Sequence, residues 1–461
     1  MTTESPYRFP GGFPDAATID AAYDASDLAR AIQCYKHFFP LISGASIFVG
    51  QAAVGVRLNE VFGYMDTRPA QAGLTLNSDT PYGGPLLDLH VGPLVVEIPP
   101  GLIVGAILNY DQSWITDVGI PGRDGGAGGS YLLLPPGYDG DVPDEGYFVA
   151  QAQSHKLVVG LRGIPKDGDV AGAIALLQTV VVRPLDPSTP WTEPRWIDMS
   201  GAPQDTSPNP VQGSIRYWEL LHAALQDEPP RASDIAHESE LAVLGILRGH
   251  DFTPDERMRR ILERAATEAD AQMRVQSLAD RRPDRVSWTD RQWEWVTLRP
   301  DNVFFQIDGR TDVDALDTWF YQAIASSPAM FRRVPGGGSV YWFGGRDGEG
   351  AYLDGGRDYT LTIPTPVPAG LFWSVTVYDA ATRSQIDTDQ GNAALRSLFE
   401  LSGSTDGAQV ELRFGPEQPA DSADRWVKTL PGRGWFVYLR LYGPSAAAFD
   451  GSWRPGDFVA V

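Results

Sequence analysis

The first regular pattern of apolar residues along the chain is helical. Leu28, Ile32, Tyr35 and Phe39 recur at spacings of three and four residues, which places them on one face of a helix. Ser26 precedes them and has a side chain that commonly caps helix N-termini. We therefore expect a helix that begins after Ser26 and packs its apolar face against a sheet.

From residue 86 onwards the pattern changes to short apolar runs that are separated by Gly, Pro and Asp. Runs of this length with turn residues at their ends are typical of β-strands in a sandwich or barrel. The predicted strands cover residues 93–98, 102–110, 131–134, 147–152 and 157–161. With the helix before them, they define a β-rich N-terminal domain over residues 15–186.

The central part of the chain, residues 187–335, is expected to be a linker followed by helices. It begins with a stretch rich in Pro, Ser, Thr and Asp that has no sustained period. Residues 253–256 then combine an N-cap residue, a first-turn proline and a capping-box glutamate. An apolar stripe with helical spacing follows and ends near Pro283.

The last part of the chain, residues 336–461, returns to strand-like runs, at residues 339–343, 358–363, 372–378, 410–414 and 434–441. These runs predict a second sandwich. The expected fold is mainly β with a helical connection, formed by two antiparallel β-sandwich modules of jelly-roll type. The N-terminal helix is expected to pack on the first module.

Composition and charge exclude several classes of function. The chain has 37 basic and 59 acidic residues and a net charge of -22, which disfavours binding to nucleic acid and to anionic membranes. No uninterrupted apolar run reaches the length of a membrane span, and the first residues lack the pattern of a signal peptide. The single cysteine, Cys34, is expected to be buried and suits a reducing compartment. We expect a cytoplasmic protein without membrane or nucleic-acid partners.

The strong catalytic and cofactor motifs do not occur in the sequence. It has no G-x-S-x-G, P-loop or H-E-x-x-H motif, and its six histidines are widely spread. Glycines at residues 125–129 lack the context of a dinucleotide-binding loop and are expected to form a surface turn. We therefore expect neither a bound metal nor a permanently bound organic cofactor.

Two polar clusters remain as candidate sites. The first, residues 77–84, contains an amide, a carboxylate, a phenol and two hydroxyls in a loop before a strand, and loops on rigid sheets often carry function. The second, residues 378–383, offers a carboxylate and a guanidinium. The structural alternatives are an Asx-turn for the first cluster and a hairpin turn with a surface ion pair for the second.

The same residues resemble a known pair of bacterial domains. Residues 76–82, 87–89 and 92–99 resemble the domain of unknown function 1254, although relatives often have proline at the position of Ser78 and a leucine-like residue at that of Pro81. Residues 352–356, 372–379, 382–384, 388–390, 431–436 and 439–444 resemble its usual companion, the domain of unknown function 1214. The resemblance implies a β-rich N-terminal domain, a helical connection and a C-terminal jelly-roll sandwich. It implies no reaction.

The functional hypothesis is a cofactor-independent enzyme, a hydrolase or lyase, that uses acid–base chemistry. Its substrate would be a small or oligomeric hydroxylated or ester-like molecule, including saccharides, bound between the β modules. The expected catalytic residues are Asp79, Tyr82 and Arg383. The expected substrate-binding residues are Asn77, Thr80, Trp114, Trp373, Asp379, Arg440 and Tyr442. The alternatives are a non-catalytic protein that binds carbohydrate or a small molecule, and an assembly component. A homo-oligomer is left open.

Overall fold

The fold was examined in a computed structural model, in which residues 5–403, 407–420 and 422–461 are described. The α-helices are α1 Ala16–Ala53, α2 Val170–Leu177, α3 Ile215–Asp227, α4 Ile235–Val243, α5 Glu256–Leu278, α6 Val313–Gln322 and α7 Pro328–Phe331. The first strands are β1 Val61–Met65, β2 Gln71–Ala72, β3 Tyr82–Gly84, β4 Leu86–Asp88, β5 Leu94–Ile98, β6 Ile103–Asn109, β7 Trp114–Gly119, β8 Gly129–Leu134, β9 Phe148–Gln151, β10 Lys156–Gly163, β11 Val181–Pro184, β12 Arg195–Asp198 and β13 Gln204–Asp205. The later strands are β14 Trp293–Trp295, β15 Gln306–Ile307, β16 Arg310–Thr311, β17 Ser339–Gly344, β18 Tyr359–Pro364, β19 Ala369–Asp379, β20 Ala394–Arg396, β21 Gln409–Gly415, β22 Trp426–Lys428, β23 Trp435–Pro444 and β24 Val459–Ala460.

The strands form two sandwiches, so the prediction of a mainly β fold with helical connections is confirmed. In the N-terminal sandwich, a sheet in the order β12-β1-β3-β10-β6-β7, with β4 also on β10, packs against the sheet β11-β5-β8-β9. In the C-terminal sandwich, the sheet β14-β17-β23-β19-β20 packs against β22-β21-β18-β24. In each sandwich we call the first sheet the inner sheet, because it faces the other module. Most strand pairs are antiparallel, and β1/β12, β2/β13, β8/β9 and β21/β22 are parallel. Strands β2/β13 and β15/β16 form separate two-stranded sheets.

Both sandwiches recruit a strand from the central part of the chain. Strand β12 pairs in parallel with β1, so the N-terminal sandwich continues past residue 186. Strand β14 pairs with β17, so the C-terminal sandwich includes residues well before 336. The remainder of the central segment supplies helices α3 to α7.

The N-terminal helix is longer than its apolar stripe predicts. The side chain of Asp15 accepts a hydrogen bond from the backbone N–H of Thr18 at 2.9 Å and caps α1. The predicted start at Ser26 is wrong, because the alanine-rich segment before it continues the helix. Cys34 is fully buried in this helix, as expected. At the start of α5, Asp255 is the capping residue, with the backbone N–H of Met258 at 2.7 Å.

A third apolar cluster joins the helices to the facing surfaces of the two inner sheets. It contains buried residues of α1, α3, α5 and α6. Leu108 and Val158 extend it onto the N-terminal inner sheet, and Tyr341 and Tyr438 extend it onto the C-terminal one. The two sandwiches therefore face each other across a shared core. No helix in the described ranges combines the length and the apolar character needed to cross a bilayer.

One segment of the N-terminal module, residues 67–79, is tied to the C-terminal sandwich by hydrogen bonds. The backbone N–H of Thr75 donates to the carbonyl of Arg383 at 2.8 Å. The backbone N–H of Gly73 donates to the Ser384 hydroxyl at 3.2 Å. The Gln385 amide donates to the Thr67 carbonyl at 3.0 Å. We call residues 67–79 the bridging segment.

Candidate functional site

Along β23, the central strand of the C-terminal inner sheet, side chains point alternately into the sandwich core and towards the N-terminal module. Val437, Leu439 and Leu441 point into the sandwich core. The residues between them point to the opposite face, because successive side chains of a strand alternate. Arg440 lies in this second set, directly between Tyr341 of β17 and Ser374 of β19. A charged residue is therefore placed in the middle of a sheet, on the side that meets the other module.

The N-terminal inner sheet also has a row of neighbouring side chains on the face that meets the C-terminal module. Met65, Tyr82, Arg162 and Val104 are register partners across β1, β3, β10 and β6. On β10, Val158 and Gly160 share the face of Arg162, while the residues between them fill the sandwich core. The guanidinium of Arg162 lies 5.8 Å from the centre of the Tyr82 ring. Tyr341 of the opposite module is among the groups that interact electrostatically with it.

A cavity of about 150 Å³ lies between these two rows. Most of its wall is apolar, with side chains of Ile47, Met65, Leu74, Leu76, Val104, Ala106, Leu108, Val158, Met199, Trp319, Ile324 and Met330. Gly160 forms part of the wall, and a Cβ placed on it would meet no atom within 4 Å. The polar part of the lining comes from both modules and includes Asn77, Tyr82, Arg162, Tyr341, Tyr438 and Arg440. The cavity therefore has apolar walls and a polar end.

The loop before β3 is folded around the side chain of Asn77. Its amide oxygen accepts the backbone N–H of Asp79 at 3.0 Å and that of Thr80 at 3.3 Å, which is an Asx-type turn. Its amide nitrogen donates to the hydroxyls of Tyr82 at 3.0 Å and of Tyr442 at 3.1 Å. Asn77 thus holds the loop and orients two phenols, one from each module.

Asp79 is anchored in the other module behind the polar end of the cavity. One carboxylate oxygen accepts hydrogen bonds from Ser374 at 2.9 Å and from Tyr442 at 3.0 Å. The other oxygen is buried and has no hydrogen-bond partner within the described part of the chain. Burial raises the pKa of Asp79, and Arg440 is the strongest of the groups that oppose this shift. Asp79 also lines a second, more polar pocket of about 320 Å³ that includes Arg396.

The polar end is rich in protonated phenols and guanidiniums. Burial raises the pKa of Tyr82 above its ordinary value and raises that of Tyr438 to about 12, so both phenols keep their protons near neutral pH. Burial opposes the charged form of Arg162 and Arg440. Neighbouring phenols nevertheless hold the pKa of both groups above the ordinary arginine value. Both guanidiniums are therefore charged.

Arg383, which we expected to act in catalysis, lies away from this cavity. Its guanidinium donates to the side-chain oxygens of Asn209 at 2.6 Å and of Gln212 at 2.7 Å. It also stacks on the ring of Tyr321, 4.1 Å from its centre. These contacts join the C-terminal sandwich to the central segment, and they account for the burial of this arginine.

The other predicted residues lie partly at the cavity and partly elsewhere in the fold. Asn77, Tyr82 and Arg440 line the cavity, and Asp79 and Tyr442 lie directly behind it. Asp379 is held in its own turn, Thr80 lines the second pocket, Trp114 packs 6.2 Å from Phe304, and Trp373 lies in the C-terminal sandwich core.

Several residues of the site were not predicted from the sequence. Arg162 and Tyr341 were missed. Tyr378 belongs to the second candidate cluster but was given no role; its hydroxyl accepts from Arg440 at 2.7 Å and donates to the Leu76 carbonyl at 2.7 Å. The available signal was the alternation of polar and apolar residues in β23, β19 and β10. No group of three or more His, Cys, Asp or Glu side chains in the described ranges is placed to hold a metal ion.

Comparison with known proteins finds a solved structure with a similar fold at a TM-score above 0.5. No curated protein matches the sequence at a significant level. The crystal structure of the VPA0106 protein from Vibrio parahaemolyticus is similar in fold, with a TM-score of 0.56, 18% identity, and coverage of 94% of this chain and 100% of that one. An uncharacterized protein from Burkholderia cenocepacia gives a TM-score of 0.38 at 13% identity, with 96% of each chain covered.

The family comparison assigns both modules. Residues 59–184 match the family described as "Protein of unknown function (DUF1254)". Residues 338–446 match the family described as "Protein of unknown function (DUF1214)". The first match covers most of the N-terminal sandwich, and the second covers the inner sheet of the C-terminal one from β17 to β23. The chain therefore belongs to the two-domain family in which a DUF1254 domain is followed by a DUF1214 domain.

Proposed function

We propose that the cavity between the two sandwiches binds a small molecule, and that the protein acts on it by acid–base chemistry as a hydrolase or lyase. The observation that carries this proposal is the cavity itself, with apolar walls and a polar end built from both modules. Small-molecule sites combine these same features. We also propose a cytoplasmic location, which the single buried cysteine suits.

The size of the cavity favours a small substrate over an oligomeric one. Its volume is about 150 Å³, and cavities of this order hold a ligand roughly as large as benzene. The apolar walls would enclose the body of the substrate, and the polar end would bind an oxygen-bearing group. A saccharide chain would leave most of its hydroxyls against apolar side chains without partners, at a cost for each.

Tyr82 is the residue best placed to transfer a proton. Its hydroxyl accepts from Asn77, so its own proton is free to point to a ligand, and its raised pKa keeps that proton in place before the reaction. Arg440 would stabilise negative charge that develops on the substrate oxygen. Asp79 does not line the cavity, and its proposed role is to fix Tyr442 and the loop that carries Tyr82.

A non-catalytic binding protein is the second candidate. The observation that favours it is that the buried carboxylate, the strongest candidate for a general base, lies behind the cavity lining and not in it. A protein that only binds would need the same cavity and the same hydrogen-bond donors. Turnover distinguishes the two functions.

The test is a turnover screen of the purified protein against pooled small esters, lactones, hydroxy acids and glycosides, followed by mass spectrometry. Three variants accompany it. Tyr82→Phe removes the proposed proton donor. Gly160→Leu fills the cavity without removing a polar group. Gly201→Leu makes the same substitution at an exposed glycine with open space around it, and serves as the matched control.

The proposal predicts turnover in the parent protein and in Gly201→Leu, and its loss in Tyr82→Phe and Gly160→Leu with the fold intact by circular dichroism. Turnover that survives Gly160→Leu would place the reaction outside this cavity. Binding of a compound that stays chemically unchanged, and that Gly160→Leu abolishes, would establish the binding protein instead.

A further inference from the structure

The charges at the polar end of the cavity do not balance. Arg162 and Arg440 both line the cavity. Asp79 is the carboxylate that interacts with Arg440, and the main electrostatic partners of Arg162 are phenols. A neutral phenol accepts a hydrogen bond but does not cancel a charge. The polar end therefore carries a net positive charge whether Asp79 is ionised or protonated.

Two other arginines with little exposure, Arg285 and Arg231, are each paired with two carboxylates. Arg285, which is 1% exposed, lies 2.8 Å from Glu294 and 3.5 Å from Asp280. Arg231 lies 2.7 Å from Asp111 and 2.9 Å from Asp234. Such pairing is usual, because a buried charge without a partner is costly. In the described ranges Arg162, like buried Arg383, has no carboxylate at ion-pair distance, but an open volume lies beside Arg162.

Both guanidiniums also keep donors that the protein does not use. The hydrogen bonds of Arg440 go to Tyr378 and to the Thr75 carbonyl, each from a different terminal nitrogen. Each terminal nitrogen carries two N–H groups, so Arg440 retains unused donors. Arg162 interacts with Tyr341 and lines the cavity, and its guanidinium has five N–H donors. Planar guanidiniums bind carboxylates through paired hydrogen bonds, which supply both geometry and charge.

We infer that the cavity takes a small monocarboxylate, with its carboxylate between Arg162 and Arg440 and its apolar body against the walls of the two modules. This inference rests on the proposed function, because it names the class of ligand for the same cavity. Only the positive charge inside the cavity favours an anion, because the chain as a whole has a net charge of -22 and would not attract anions from a distance.

The experiment compares matched anionic and neutral probes by isothermal titration calorimetry with the full-length protein. Benzoate and hexanoate are the anionic probes, and benzamide and hexanamide have nearly the same shape without the charge. We expect the carboxylates to bind at least ten times more tightly than the amides. Arg162→Gln should reduce carboxylate affinity at least tenfold and leave amide affinity within about threefold.

Three further variants make the result interpretable. Arg183→Gln makes the same substitution on a half-exposed arginine of β11, far from the cavity, and should leave binding unchanged. Arg162→Lys keeps the charge without the planar geometry and should retain part of the preference, which covers the case in which Arg162→Gln does not fold. Gly160→Leu should abolish binding of both probe classes.

The outcomes separate this inference from the proposed function. Equal binding of carboxylates and amides, with both lost in Gly160→Leu, overturns the carboxylate inference and supports the cavity as the site. A carboxylate preference that survives in folded Arg162→Gln or Gly160→Leu also overturns the inference, because the anion would bind elsewhere. If no probe binds at millimolar concentration, the carboxylate inference fails, and the turnover screen decides the proposed function separately.

Discussion

Two polar segments of the molecule, residues 77–82 and residues 379–383, have a similar composition and different surroundings. In the second, the carboxylate of Asp379 accepts the backbone N–H groups of Ala381 at 2.8 Å and Thr382 at 2.9 Å. In the first, the carboxylate of Asp79 is bound by Ser374 and Tyr442, both from the other module. One aspartate stabilises its own turn, and the other joins two modules.

The difference shows what separates a structural cluster from a candidate site in this fold. The side chains of Asp379 and Arg383 form their hydrogen bonds with their own turn, with half-exposed Arg433 and with the central segment. The groups of residues 77–82 converge with side chains from the other module, and a cavity remains beside them. A site arises here because polar residues from distant parts of the chain meet around unfilled space.

The largest expected loss of stability follows from replacing either of two buried arginines, Arg440 and Arg383. Arg440→Met and Arg383→Met each leave buried acceptors without a donor, so each should lower the free energy of unfolding by about 3 kcal/mol or more. Urea unfolding measures this loss. Only Arg440→Met should also abolish benzoate binding. A comparable loss of affinity in folded Arg383→Met would remove the distinction between the two segments.

The next effect concerns catalysis. Once a substrate is known, Tyr82→Phe should lower kcat by about a hundredfold, because positioned proton donors contribute at least that much. Asp379→Asn should leave kcat within about twofold, since its hydrogen bonds are confined to its own turn and to Arg433. Steady-state kinetics of both variants shows which of the two polar segments supports catalysis. A large loss of kcat in Asp379→Asn would show that the turn also supports the reaction.

The two aspartates should respond to pH in opposite directions. Burial raises the pKa of Asp79 above 3.8, so its contribution to stability is complete below pH 3.8 and is lost as pH rises through the raised value. The pKa of Asp379 is lowered, because hydrogen bonds from Arg433 and from its turn outweigh burial. Its contribution is therefore present above pH 3.8 and is lost as pH falls through the lowered value.

Asparagine stands in for the neutral form of each side chain. Relative to the parent protein, Asp79→Asn should become less destabilising as pH rises from about 3 to about 7, and Asp379→Asn should become more destabilising. Each unit of pKa difference corresponds to about 1.4 kcal/mol. Urea titrations across this range provide the measurement, and parallel trends for the two variants would contradict the assignment.

The smallest expected loss of stability follows from replacing Arg433, the partly exposed arginine that is paired with Asp379. The side chain of Arg433 is 46% exposed and lies 2.6 Å from that carboxylate. Arg433→Ala should therefore lower the free energy of unfolding by about 0.5 kcal/mol and leave ligand affinity unchanged. Thermal unfolding and benzoate titration test both statements. A change in affinity would connect the turn to the cavity.

Much of the fold was predictable from local patterns. Apolar runs bounded by Gly and Pro indicated the strands of both sandwiches, and the capping signals before residue 256 located α5. The start of α1 was not predicted correctly, because Asp15 caps it and the residues up to Ser26 carry no apolar stripe. Pairing between β1 and β12 is non-local, and nothing in the sequence of either strand specifies it.

The site was predictable only in part. The loop at residues 77–82 was recognised by its composition, and Arg440 by its place in a family motif. Arg162 was missed because it lies in β10 just beyond the apolar run 157–161 that predicted the strand, and both faces of this strand are largely buried. The alternation of side chains along β10 places Arg162 on the same face as Val158 and Gly160. It does not show which face of the strand meets the other module. That information belongs to the packing of the whole chain.

The bridging segment constrains how the gene for this protein can be divided during evolution. Residues 67–79 belong to one module and form several hydrogen bonds with the other, and residues of both modules line the cavity. Gene fission between the modules would leave two products with exposed apolar surface and an incomplete pocket each. We therefore expect selection to keep the two halves in one reading frame, or else to require that the separated products reassemble.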